Sequence, residues 1–454
     1  MKLGKQIAEF IQTTKFGDFP DDVIETAKLC ILDSIGVSLY GTQFKPSQIM
    51  LSYAKDVSGK KESTVLGSRL KVPAGLSALV NGVSAHVADY DDALTVMQAH
   101  PSAVLMPTAL ALAEASNTSG KALLSAFIMG VEIGGKLGKA MQWTHYNAGW
   151  HGTGTIGTIA AAAAAANLLH LNVGQTTNAI GIAASGSAGL RENFGTMTKS
   201  YHAGLAAQNG IVAAQLALKG FTASETILEG PSGFFNTFSG SGHLTSLPAD
   251  LGPPWSLNGI IYKQYPSCAG THAAVDAILD LKHEVGFKLG EIEEIECKVR
   301  PVISSVLIHP DPQNELEAKF SMQFCVSAAL ITGQLGIAQF DTETIQEPKV
   351  QAMIKRIRMI PDEGLEKLAV DRNVLAPIRL TLKLSTGKEY VREMIEARGG
   401  PSNPLDRQEL GLKFLECSTH LLPLDQSKAA LEILNRIEAV EKVSEITEML
   451  TPIK

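Results

Sequence analysis

The sequence predicts a mainly α protein in which a large helical domain, formed by both chain ends, is interrupted by a smaller α+β domain. Three observations predict it. Apolar residues recur at helical spacing through the first ~265 residues. Short alternating stretches appear after about residue 266. Amphipathic helix then returns beyond the breaker-rich segment GGPSNPLD at 399–406. The helical domain is therefore drawn as 1–265 with 400–454, and the α+β domain as 266–399.

The segment FPDDVIETAKLCILDSIGVSLYG starts with Pro20 and an Asp cap and stops at Gly41, with Val23, Ala27, Ile31 and Ile35 on one face. PAGLSALVNGVSAHVADY, HPSAVLMPTALALAEA, 121–135 and 201–219 have the same period. Ala160–Ala166 is a run of seven alanines. Alanine is the best helix former and has no bulk, so the run predicts a central helix that neighbours approach closely. In the interrupting domain, IRLTLKLSTGKEYVREMIEA alternates cleanly and turns at Thr386–Gly387, which predicts a β-hairpin. EIEEIECKVRPVISSVLI contains strand-like stretches, and helices are expected at 317–330 and 349–359. The C-terminal DQSKAALEILNRIEAVEKVSEITEML is amphipathic helix.

Composition narrows function. The 454 residues carry 39 Lys and Arg against 46 Asp and Glu, a net charge of −7 with no basic stripe, so nucleic acid is not expected as a partner. The start MKLGKQIAEF has no signal-like apolar core, and the alanine-rich stretch is too short and weakly apolar for a membrane span, so a cytoplasmic protein is expected. Five scattered cysteines with no CxxC pair give no support to a disulfide framework, zinc knuckle or iron–sulfur cluster. No metal is expected.

Polar clusters supply the candidates. His86, Asp89, Tyr90, Asp91 and Asp92 lie together, followed by His100–Pro101. His86 and Asp89 are three apart, the spacing at which a helical carboxylate orients an imidazole. A solvated acidic loop is the blander alternative. His151 opens HGTGTIG, which fits G-x-G-x-x-G but follows no apolar strand, so a dinucleotide site is rejected. The glycines instead offer backbone freedom at a helix N-terminus, where N–H groups favour an anion. A structural histidine remains an alternative there. Lys199 lies in a polar stretch and Lys263 between two tyrosines after Ile260–Ile261. Either is a partly desolvated, anion-seeking lysine or an ordinary exposed one.

At these residues the chain resembles the MmgE/PrpD family. The matching blocks are NGVSAHVADYDDA, HPSAVLMPTALALAEA, WHGTGTIGTIAAAAAAANLL, TKSYHAGLAAQNGIVAAQLALKGF, YKQYPSCAGTHAAVDA, EAKFSMQF and GGPSNPLDRQELGLKF, in order from 81 to 415. The resemblance implies a cofactor-independent homodimer in which the smaller domain is a lid over the site. It also implies proton transfer at a carbon next to a carboxylate, the step common to 2-methylcitrate dehydratase, cis-aconitate decarboxylase and iminodisuccinate epimerase. Position by position it assigns catalysis to Asp89, His100, His151, Lys199 and Lys263; Ser102, Thr153 and Cys268 are expected to bind substrate. The substrate implied is a small anionic di- or tricarboxylate. Departures stand beside the matches. Ala93, Cys268 and Phe324 replace a Thr, a His and a Tyr of the decarboxylating branch, and Ala103 departs from the dehydratase motif HPSDN. Dehydration is the leading expectation. Epimerisation is the alternative, followed by decarboxylation and a non-catalytic scaffold. In the expected mechanism Lys199, Lys263 and the N–H groups after His151 hold carboxylates. One of His100 and His151 is the base, and the other, oriented by Asp89, is the acid.

Overall fold

The computed structural model describes residues 2–57, 59–239 and 251–453 and is mainly α-helical. Two compact units are present. The larger comprises Met1–Glu192, Thr198–Ile260 and Asp406–Lys454; the smaller comprises Asn193–Met197 and Ile261–Leu405.

The expected helices of the larger unit form as Asp21–Gly41, Ala74–Val87, Pro101–Ala115, Gly120–Asn147 and Met197–Leu218. Pro101 sits at the first helical position, where its missing N–H has no partner to lose. Pro20, with no side-chain cap bond, precedes Asp21–Gly41, and the acidic pair Asp21–Asp22 faces the helix dipole from the first turn. The alanine run lies inside the buried Gly152–Leu168 helix. A Cβ added to Gly210 would fall 2.3 Å from Ala161 Cβ, so the Met197–Leu218 helix packs nearly backbone to backbone on the alanines. The same helix crosses Ala74–Val87 through Gly82 and Gly204, where a Cβ on Gly82 would lie 2.7 Å from Gly204 Cα. That crossing sets the spacing of two helix ends that carry chemistry. Among the described residues no helix is long and apolar enough to cross a membrane.

The smaller unit holds a four-stranded sheet in the order Ile357–Pro361, Ile292–Val299, Ile378–Leu384, Glu389–Met394. The last two strands form the expected antiparallel hairpin, with Gly387 at φ +81° in the turn. Ile378, Leu380, Leu382 and Leu384 face a core shared with the helices His272–Val285 and Met322–Thr332. Two expectations fail here. The helix expected at 317–330 is two helices, Glu315–Ala318 and Met322–Thr332, because Ser321 leaves helical geometry and caps Phe324 N–H. The helix expected at 349–359 stops at Ile354, and Ile357–Pro361 pairs in parallel with Ile292–Val299. The C-terminal helix is likewise broken, into Leu424–Asn435 and Ser444–Met449.

Candidate active site

The Ala74–Val87 helix ends just before the acidic cluster, and Asp89 adopts a left-handed φ of +51°. This turns the chain out of the helical period, so the three carboxylates diverge. All three are buried, which excludes a solvated acidic loop. Each has its own partner. Lys199 Nζ donates to Asp89 Oδ1 at 2.9 Å. Asp91 Oδ2 lies 2.8 Å from His86 Nδ1 and 3.6 Å from His100 Nδ1. Asp92 Oδ1 accepts from Ser102 N–H at 3.1 Å, and its Oδ2 accepts from the Ser102 hydroxyl at 2.5 Å. The His86–Asp89 pair expected from spacing is thus replaced by His86–Asp91, because Asp89 has left the helix whose geometry that spacing assumes.

The imidazole geometry defines proton positions. His100 Nδ1 lies 2.7 Å from the Asp92 carbonyl, which can only accept. His100 therefore carries its hydrogen on Nδ1, and in the neutral ring Nε2 is the basic atom. The same logic places the His86 hydrogen on Nδ1, facing Asp91. His86 Nε2 has no hydrogen-bond partner among the described residues. The ring of His86 lies 4.8 Å from that of His100 and stacks at 5.7 Å on that of His151. His151 Nδ1 is 3.0 Å from His202 Nδ1.

Burial pushes His151 well below the ordinary histidine range, with His86, Lys199, His202 and His100 adding to the effect. Burial also lowers His86, against the opposing pull of Asp91. It takes His202 down to about 4. These rings are therefore neutral bases at pH 7. Asp92 moves the other way, up to about 7, through burial chiefly and then Asp33 and Asp91, against the Ser102 bonds.

His151 precedes the Gly152–Leu168 helix as expected. The glycines there serve packing: a Cβ on Gly152 would lie 2.6 Å from Gln98 O, and one on Gly154 would lie 2.2 Å from Ala188 O. Thr153 Oγ1 accepts from His100 N–H at 3.1 Å and so ties two helix starts together.

Lys263 and Cys268 belong to the smaller unit. Lys263 is fully buried, and Cys268 is half-buried with its N–H donating to Lys319 O at 2.9 Å. Ala93 is buried in the larger unit. Phe324 is a core residue packed 5.4 Å from Phe340.

Sequence inspection missed two contributors. His202 lies one helical turn beyond Lys199, a spacing that was readable. Lys413 donates to Tyr90 O at 2.8 Å, pairs with Asp33 at 2.7 Å, and sits 3.8 Å over the Tyr90 ring. No local signal joins residues so far apart in sequence.

His86, Asp89, Asp91 and His100 offer ligand atoms all within 4.8 Å of one another, a spacing compatible with a metal ion. Lys199 already places its amino group on Asp89, so an ion bound there would sit beside that nitrogen.

The MmgE/PrpD N-terminal domain matches residues 5–246 and the MmgE/PrpD C-terminal domain matches residues 265–439. The chain belongs to the MmgE/PrpD family. It is an enzyme of that family. Among similar MmgE/PrpD proteins, a cis-aconitate decarboxylase of Homo sapiens is 29% identical over 98% of this chain and 94% of its own length. The mitochondrial 2-methylcitrate dehydratase of Yarrowia lipolytica is 25% identical over 85% of this chain and 78% of its own. The 2-methylcitrate dehydratase of Escherichia coli is 22% identical over 82% and 80%.

Proposed function

We propose that this MmgE/PrpD enzyme is a lyase acting on a small hydroxy di- or tricarboxylate, and that it removes a proton from the carbon next to a carboxylate. The observation that carries this reading is the neutral buried imidazole of His151 and the partly buried ring of His100, in a cluster that holds the buried Lys199. His100 Nε2 and the His151 ring are bases, and Lys199 is a fixed positive charge. A carbon acid needs both at once. The base takes the proton while positive charge stabilises the enolate-like state, an effect worth several kcal/mol. In this reading Lys263 and Cys268 are assigned to substrate by the family resemblance. Ser102 and Thr153 act indirectly, since the first holds Asp92 and the second holds His100.

Dehydration is the first form of the reaction, with one histidine as base and another returning a proton to the departing hydroxyl. Decarboxylation is the second, favoured by the longer match to the cis-aconitate decarboxylases, which span 98% of this chain. Ala93, Cys268 and Phe324 weigh against it, since that branch carries Thr, His and Tyr there.

The test is incubation with citrate, 2-methylcitrate, cis-aconitate and aminodicarboxylate analogues in D₂O, followed by proton NMR. Deuterium at a carbon next to a carboxylate supports the reading. A new conjugated alkene without CO₂ marks dehydration, and CO₂ release marks decarboxylation. A change of optical rotation alone marks epimerisation. No exchange with any of the panel contradicts the reading.

A further inference from the structure

We propose that His202 is the outer member of a two-imidazole proton relay with His151. The inference rests on the reading of His151 as a base. The two Nδ1 atoms are 3.0 Å apart, with ring centroids 5.3 Å apart at 58°. Two imidazole nitrogens can approach so closely only as N–H···N, with one hydrogen between them. The contact is built into the fold. Gly189 lies against both residues, and a Cβ there would be 3.3 Å from His202 Cγ and 3.5 Å from His151 Cβ. A Cβ on Gly154 would lie 3.3 Å from His202 Cβ. His202 also shares a helix face with Lys199, which holds Asp89.

The shared hydrogen links the state of one ring to the other. When His151 carries Nδ1–H, its Nε2 lone pair is available as a base. Taking a substrate proton at Nε2 makes His151 an imidazolium. Its Nδ1 proton then passes to His202 Nδ1, and the His202 Nε2–H proton leaves for solvent. One proton enters at His151 Nε2 and one leaves at His202 Nε2. His151 is now neutral with Nε2–H and accepts at Nδ1, so the same ring is set to act as an acid. His202 is the less buried of the two, at 6% exposure against 1%. That suits the exit end of the relay.

The experiment has two arms. Histidine labelled with ¹⁵N reports the pair without substrate: a through-hydrogen-bond coupling between the two Nδ1 atoms is expected in the wild type and absent in His202→Asn. No coupling in the wild type overturns the pair. The second arm follows deuterium incorporation from D₂O into citrate, 2-methylcitrate and cis-aconitate. Asparagine at 202 can still accept from His151 Nδ1–H but takes up no proton, whereas His202→Phe does neither. A relay predicts that both variants incorporate deuterium about 100-fold more slowly or worse, the low end of what a proton-transfer group contributes. Full exchange in His202→Asn with loss in His202→Phe makes His202 a positioning residue and overturns the relay. Wild type that exchanges nothing overturns the underlying proton-abstraction reading instead, and the coupling arm then stands by itself on whether the pair exists.

Discussion

Lys199 donates to Asp89 across 2.9 Å with both side chains almost wholly buried, at 7% and 2% exposure. The crossing of two helices at Gly82 and Gly204 makes this possible. It brings the first turn of Met197–Leu218 to the residue just past the end of Ala74–Val87. Removing one partner strands a charge in the interior. Lys199→Met is therefore expected to lower stability by about 3–5 kcal/mol, and Lys199→Met with Asp89→Asn to recover part of that loss. Chemical denaturation of the two variants measures it. If the single and double variants are equally stable, the pair is not coupled. Activity is expected to be lost in both, since neither retains the ammonium.

Asp92 gives a pH signature. Its folded pKa is raised to about 7, above the ordinary aspartate value, so the folded state binds more protons than the unfolded state between those limits. The stabilisation from the protonated form is present at acid pH and lost as pH rises through about 7. Relative to Asp92→Asn, the wild type should lose on the order of 3 kcal/mol between pH 4 and pH 8. Melting curves of both proteins at the two pH values check this, and a constant gap contradicts it.

The buried histidines act with the opposite sign. His202, lowered to about 4, stays neutral in the folded state while the unfolded chain protonates below about 6.5. Stability is expected to fall as pH drops from about 6.5 toward 4, and His202→Asn should remove part of that slope. Equal slopes in wild type and variant, followed by chemical denaturation, contradict the assigned neutrality.

Much of this was legible in the sequence and some was not. Helical spacing located the helices of the larger unit because burying one face or all faces requires it. The five residues Asp89, His100, His151, Lys199 and Lys263 were chosen from blocks of sequence, and four of them lie in the larger unit. The pairing within the cluster was not legible. A three-residue spacing pairs His86 with Asp89 only if the helix continues, and it ends at Val87. The strand Ile357–Pro361 was missed because its partner, Ile292–Val299, is remote in sequence. Lys413 was invisible for the same reason, since its contacts with Tyr90 and Asp33 exist only once the C-terminal segment has docked.

The alanine run makes a stability prediction independent of chemistry. Gly210→Ala improves helix propensity by about 1 kcal/mol, yet its methyl would sit 2.3 Å from Ala161 Cβ and 2.7 Å from the Ala161 carbonyl carbon. Overpacking against backbone should dominate, giving a net loss of about 1–3 kcal/mol. Thermal unfolding of the variant decides between the two effects, and a raised melting temperature would refute the tight helix contact.

Proton abstraction by the imidazole pair beside Lys199 is the central claim, and deuterium incorporation tests it most directly. The wild type and His151→Asn are to be compared in D₂O with the substrate that the wild type exchanges, with melting temperature measured alongside. The account predicts incorporation next to a carboxylate in the wild type and a fall of about 10²–10⁴ in His151→Asn while the fold is retained. Exchange at the wild-type rate in a folded His151→Asn protein would contradict it.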